Sequence, residues 1–434
     1  MGLCHGKSNS RRCPDLPPEI AGKILSRLPT HDDRHSFKAV CRGWRLAARQ
    51  QGLLLPPAAP CINLGRGMYR SIVTDDNGTK VCRRRFPTPT VFFRACATFG
   101  GWVLYEHKRS GRCFLRDPFS PSTPAIEVPC LYDRTTKPHA ILLHKRGILY
   151  VKKIIVCSSN LVVALTRYGV LIDSSPADNA CFRKETTAVV WTTNFFYKDI
   201  TFHHGKIFAV DSQDNLFSHW LVGEVLQSQS PTNTRENVHS HGFFEDAPSH
   251  SRKKHVIKER PASAVDAEMI YHYLVTSSDK QKLLMVRWSI PSQTDDDNEV
   301  DHQAINLQVF EADLDNGRWL EVKDLGGQIL FVGRAGSKAL MVESSSGHYY
   351  GHRFRGGNRV VLLGHDWAMA RTWAYAVPCR CLDCQKLANG IPSYCVYDMA
   401  SGETCLVSLN SGGSGSMKSS RAQWFFPSES YPRV

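Results

Sequence analysis

Three cysteines crowd into "CRCLDC", placing Cys379, Cys381 and Cys384 within six residues. Thiolates this close have the chemistry to share a zinc ion with a fourth donor such as Cys395 or His365. Structural zinc sites are usually built from two separated pairs of ligands, and no second pair follows here. The favoured expectation is free thiols at the corner of a strand, with no metal. "GGSGSMKSS" has the glycine and Lys-Ser content of a phosphate-binding loop, but Met417 stands where the backbone must wrap the phosphate, so no such loop is expected. Gly412 and Ser414 do not complete a nucleophile elbow. His203 and His204 precede a Gly-Lys turn. Adjacent residues of a strand point to opposite faces, so they read as turn or surface histidines, not as a ligand pair. His239 and His241 fall in a polar stretch and read the same way. No catalytic residue, cofactor or metal is expected.

Composition bounds what these residues can serve. The 434 residues are 42% hydrophobic and 22% charged, values that allow a sizeable core. Formal charge is +14, which attracts acidic partners without naming them. The compact basic clusters are Arg83-Arg84-Arg85 and Arg252-Lys253-Lys254, both beside loop-like sequence and read as solvated loops. The 15 cysteines follow no framework, the first residues lack an apolar signal core, and no run approaches a membrane span. The expectation is an intracellular chain, cytoplasmic or nuclear, with reduced thiols. Met1-Gly2 does not complete a myristoylation signal, since Gly6 stands where Ser or Thr is preferred.

Stepping along the chain, "PDLPPEIAGKILSRLP" reads as a helix. Pro18 suits its first position, Glu19 its dipole, and Pro29 ends it. Ile20, Ala21, Ile24, Leu25 and Leu28 form its apolar stripe. Thr30 and Asp33 resemble a capping box opening a second helix, whose face is Phe37, Val40, Cys41, Trp44 and Ala48. Two helices cannot bury all this apolar surface against each other. Either a partner or the large domain behind them takes up the surplus.

From about residue 60 the pattern turns to short β-type runs: 101–106, 147–156, 160–172, 188–193, 205–211, 282–290, 305–313, 338–343 and 394–398. A weak repeat of strand, Asp, turn and strand recurs at Asp117, Asp211, Asp313 and Asp398, each Asp suited to bond the turn's backbone N–H groups. Its intervals of 94, 102 and 85 residues would hold about two blades each at 40–50 residues per blade. A propeller fits this length better than a sandwich. The tryptophans lie mostly in β-runs and read as core. Polar stretches at 227–262, 291–303 and 410–421 read as surface loops inserted between strands.

Two resemblances sharpen this. "LPPEIAGKILSRLP…DDRHSFKAVCRGWR" resembles an F-box, with Asp33 and His35 at positions often apolar in that family. The resemblance implies a three-helix fold that docks on a Skp-type adaptor of a cullin–RING ubiquitin ligase. It implies an adaptor surface drawn from Leu16, Pro17, Ile20, Ile24, Leu25, Leu28, Pro29, Val40, Cys41 and Trp44. "KDITFHHGKIFAVDSQDNLF", "GGQILFVGRAGSKALMV", "SYCVYDMASGETCLVSL" and "QWFFPS" resemble the KIB-type β-propeller that follows F-boxes in many plant proteins.

The expected architecture is α+β and multidomain: a helical F-box (14–51), a Pro-rich linker (52–61), and a mainly-β, propeller-like domain (62–428). The expected function is a non-catalytic substrate receptor of a Skp–cullin–F-box ligase, with an unknown target protein and no membrane. The alternatives are a propeller-based enzyme and a basic nucleic-acid-binding protein.

Overall fold

The N-terminal helices are short because the sequence punctuates them. α1 (Pro18–Leu25) starts on a proline whose missing N–H costs nothing there. It ends at Leu25, one turn before Pro29, and Leu28 continues only as a turn through its N–H to Leu25 O. α2 (His31–Ala39) is capped by Thr30, whose Oγ1 accepts from Asp33 N at 3.0 Å. The second expected helix is broken at Val40 and Cys41, and α3 (Arg42–Gln51) restarts beyond them. The Cys41 sulfur accepts from Trp44 N at 3.5 Å and caps the new helix, a role that apolar spacing does not reveal.

In this computed structural model the described residues are 17–51, 55–73, 84–110, 112–120, 123–128, 151–158, 161–166, 170–173, 188–191, 197–221, 251–258, 269–290, 306–342, 354, 356–363, 393–408 and 422–427.

Beyond the helices the described chain is strands, gathered in six sheets. The first holds β1 (Cys61–Gly65), β2 (Met68–Ser71), β3 (Arg84–Arg85) and the last strand, β25 (Gln423–Phe425). The second is β4 (Phe93–Phe99), β5 (Trp102–His107), β6 (Cys113–Arg116) and β7 (Ile126–Glu127). The third is β8 (Val151–Ser158), β9 (Leu161–Thr166), β10 (Val170–Asp173) and β11 (Ala188–Trp191). The fourth is β12 (Asp199–His203), β13 (Lys206–Val210), β14 (Leu216–Leu221) and β15 (Ser251–Ile257). The fifth is β16 (Met269–Thr276), β17 (Leu283–Ile290), β18 (Asn306–Asp313) and β19 (Arg318–Glu321). The sixth is β20 (Gln328–Val332), β21 (Lys338–Met341), β22 (Arg359–Leu363), β23 (Ser393–Asp398) and β24 (Thr404–Ser408), with β20 and β22 parallel.

Each sheet packs on the next, and apolar clusters fill the seams: β4 against β8, β8 against β12, β12 against β16, β16 against β21. The ring closes where β25 pairs antiparallel with β1, joining Gln423–Phe425 to Cys61–Asn63. This is a β-propeller, closed by pairing the two ends of its chain. Trp424 is fully buried at the closure and donates from Nε1 to Val332 O of the sixth sheet at 2.9 Å.

Every β-run expected from the sequence carries strand, and 160–172 divides into β9 and β10. The stretch 227–262 is corrected in part: its end forms β15, paired along β14. Arg84 and Arg85 likewise form β3 and not a loop, and Arg83 lies outside the described residues. Both are outermost strands, hydrogen-bonded on one side only, so they need no apolar alternation. Residues 291–303 and 410–421 lie outside the described residues.

All four repeat aspartates do bond turn N–H groups: Asp117 to Phe119, Asp211 to Gln213 and Asn215, Asp313 to Asn316, and Asp398 to Ala400 and Ser401. Their spacing does not count sheets as expected. Asp117 and Asp211 are two sheets apart, but Asp211 to Asp313 and Asp313 to Asp398 each advance by one. Asp211 also follows a second strand, where the others precede an outer one.

Candidate adaptor-docking surface and its joint to the propeller

The three helices close on Ala21, Leu25, Phe37, Ala47 and Ala48, with Ile24, Leu28, Trp44 and Leu55 packed around them. Phe37 and Trp44 rings lie 4.5 Å apart, fixing α2 against α3. Arg34 is fully buried and ties the turns together, donating from Nε to Leu28 O at 2.9 Å and from Nη2 to Pro56 O at 2.8 Å. A guanidinium so placed satisfies two loop carbonyls, one beyond α1 and one beyond α3.

The expected adaptor residues therefore occupy different places. Ile20 and Val40 stand out in solvent, 43% and 51% exposed, and Pro17 is exposed at the helix entry. Ile24, Leu28, Pro29, Cys41 and Trp44 are half-buried. Leu25 is sealed in the module's core, and Leu16 lies outside the described residues. Leu46 on α3 is a further exposed apolar residue of the module, at 47%. It sits off the Phe37–Ala48 stripe, so periodicity passes over it. Asp33 serves as the cap partner of Thr30, whose hydroxyl also donates to its Oδ2 at 2.6 Å.

The other side of the module is fixed to the propeller. The phenol of Tyr69 on β2 donates to Asp32 Oδ1 at 2.9 Å, and Arg84 Nε on β3 lies 3.0 Å from Asp32 Oδ2. The His31 ring stacks on Phe119 with centroids 3.9 Å apart. Ala59 N donates to Pro29 O at 2.8 Å. Burial, then the adjacent Asp32 carboxylate, pushes the Tyr69 phenol well up, which keeps its proton on the donor side of the bond. Burial, then Lys38, His35 and Arg34, lowers His31 to about 3, so the stacked ring is neutral. Of the 52–61 stretch, Ala58, Ala59 and Pro60 are buried and Cys61 belongs to β1. The helices' surplus surface is divided, one side meeting the propeller and the other facing solvent.

Among the described residues, the propeller also holds two buried ionic clusters. Lys153 on β8 and Asp199 on β12 pair at 2.9 and 3.0 Å, and Asp199 Oδ2 also accepts from Leu274 N on β16 at 2.7 Å. One carboxylate thereby links three consecutive sheets. Asp214 receives His272 Nε2 at 2.5 Å, lies 3.6 Å from Arg287 Nε, and accepts at its carbonyl from Trp319 Nε1 at 2.8 Å. The side chains of Asp214, His272 and Arg287 have no exposure, and the cluster ties the fourth sheet to the fifth.

His203 is buried at the end of β12 and its pKa is lowered by burial, which corrects its reading as a surface residue; His204 occupies the turn with positive φ. Cys379, Cys381, Cys384 and His365 lie outside the described residues. Cys395 is buried in β23 with its thiol pushed up to about 12. Among the described residues no group of three or more His, Cys, Asp or Glu is placed to hold a metal. Among them, too, no helix is long and apolar enough to cross a membrane.

A short capped helical module locked onto a ring of sheets defines an F-box protein with a β-propeller. Residues 13–55 match the F-box domain model, and residues 70–368 match the KIB1-4 beta-propeller model. The second match spans more than half of the chain, and the chain belongs to the KIB1-4 beta-propeller family. No curated protein matches it. Among solved structures, one similar chain comes from a Saccharomyces cerevisiae assembly of a Dbp5 variant bound to Nup159, a Gle1 variant, IP6 and ADP. It is 9% identical, with TM-score 0.29, over 82% of this chain and 92% of that one. Another is the N-terminal domain of Nup159, 11% identical, with TM-score 0.21, over 74% of this chain and 87% of that one. At those scores neither bears on the site.

Proposed function

We propose that this chain is the substrate-recognition subunit of a Skp–cullin–F-box ubiquitin ligase. The F-box docks the adaptor and the propeller holds a target protein. The observation that carries this reading is the divided helical module. Ile20, Val40 and Leu46 face solvent while the Asp32 side is fixed to the propeller. An apolar surface left open on a module too small to need it fits a protein partner. The mechanism is proximity: a fixed joint holds the target at a set distance from the ubiquitin-conjugating enzyme and raises the effective concentration of its lysines. The chain contributes no nucleophile, and it works in the cytoplasm or nucleus, where adaptor and cullin are found. Co-precipitation of the purified chain with a Skp-type adaptor tests the docking. Ile20→Ala with Val40→Ala should abolish capture without unfolding the protein, and undiminished capture would refute the surface.

A further inference from the structure

A second exposed apolar feature stands on the propeller, at the turn entering β4. Val91 is 76% exposed and Phe92 47% exposed. No apolar burial holds this tip in place. Hydrogen bonds do: Phe93 N to Thr90 O, Phe92 N to Thr90 Oγ1 at 3.3 Å, Lys108 N to Phe92 O, and Lys108 Nζ to Val91 O at 2.5 Å. The turn is therefore ordered before any ligand arrives, which lowers the entropy cost of binding.

Two cations, Lys108 and Arg109, lie against it. The Arg109 guanidinium lies over the Phe92 ring, 5.5 Å from its centroid. Lys108, which bonds the tip, follows β5, and Arg66 and Arg85 are exposed on the adjoining first sheet. Arg85 pairs in register with Met68, and the Arg66–Gly67 turn abuts Ala95 of β4. The nearby Glu106 is engaged by Arg94 at 2.6 Å. Among the described residues no carboxylate pairs with Arg66, Arg85, Lys108 or Arg109.

An apolar tip that carries Lys108 and Arg109, on a chain of formal charge +14, is complementary to one chemistry. We infer that the surface formed by Val91, Phe92, Lys108 and Arg109 binds an acidic segment of a protein that carries an apolar side chain. The apolar residue packs on Val91 and Phe92, and the flanking carboxylates meet the cations. Aromatic and arginine side chains are the usual anchors of protein interfaces. One face of Phe92 is already covered by Arg109, so the ring is a poor platform for stacked bases. Two apolar residues are also little for insertion into a lipid surface. The inference rests on the propeller's reading as a target platform.

The test uses the full chain without adaptor. A fluorescein-labelled peptide of Glu and Asp with a central Phe is titrated and followed by anisotropy. Binding should weaken with salt, and should fall about tenfold or more with Phe92→Ser or with Lys108→Ala plus Arg109→Ala. It should fall similarly when the peptide's Phe becomes Ser. Lys323→Ala, at an exposed lysine after β19, should leave it unchanged. Absence of peptide binding, equal binding by the variants, or tighter binding of single-stranded RNA or phosphatidylserine vesicles would overturn the inference. Because no adaptor is present, failure here is distinguishable from failure of adaptor docking.

Discussion

Replacing Asp32 by Ala should loosen the helical module from the propeller without unfolding either. The carboxylate makes two contacts across the joint, with Tyr69 at 2.9 Å and Arg84 at 3.0 Å. A hydrogen bond to a charged group is worth about 1.5–3 kcal/mol, and the Tyr69 hydroxyl would be left without this acceptor. The Arg84 side chain is half exposed, so its pair adds less than about 1 kcal/mol. Together the loss is about 1.5–4 kcal/mol, roughly 10- to 700-fold in the ratio of docked to loose module. The His31–Phe119 stack and the Ala59–Pro29 bond remain, so the module detaches transiently. The reporter is the Ala59 amide, whose bond to Pro29 O crosses the joint. Its hydrogen exchange should accelerate by about the same factor, provided the joint opens separately from global unfolding. Asp32→Ala combined with Tyr69→Phe should cost less than the sum of the single changes, because both remove the same bond. Unchanged exchange at Ala59, or strict additivity, would refute the fixed joint. A loosened joint should also reduce target ubiquitylation while adaptor capture persists.

Other consequences concern stability and pH. His31 is neutral in the fold, with its pKa lowered to about 3 from an ordinary 6.5. The unfolded chain gains a proton first, so this group's contribution is intact above about pH 6.5 and declines as pH falls toward 3. His31→Phe keeps the stack on Phe119 and should shift acid unfolding, followed by circular dichroism, to lower pH. Asp199→Asn leaves Lys153 buried without its partner and should cost about 3–5 kcal/mol in urea denaturation, whereas Lys153→Met with Asp199→Leu should cost less. Trp424→Ala removes the fully buried ring at the closure and should cost about 3–5 kcal/mol by the same measurement.

What could be read from the sequence follows from what is local. Inner strands such as β17 announce themselves because Leu283 to Ser289 are buried on both faces and read as an apolar run. The Thr30–Asp33 cap is legible because its partners are three residues apart. Outer strands such as Arg84–Arg85 and Ser251–Ile257 were hidden because an edge needs little apolar content. The break at Cys41 was hidden because a sulfur cap is no common signal. The joint was least legible. Asp32 meets Tyr69 and Arg84, and His31 meets Phe119, across separations no local pattern registers. The resemblance to an F-box marked which helices matter, and the packing then separated Leu25, which is core, from Ile20 and Val40, which are surface.

The account stands or falls on the exposed helical surface. The most direct measurement is the affinity of the purified chain for a Skp-type adaptor, by calorimetry, for the native protein and for Ile20→Ala with Val40→Ala. The account predicts stoichiometric binding by the native chain and loss of binding by the variant, with the variant's unfolding midpoint preserved. Failure of the native chain to bind, or equal affinity for the two proteins, would contradict it.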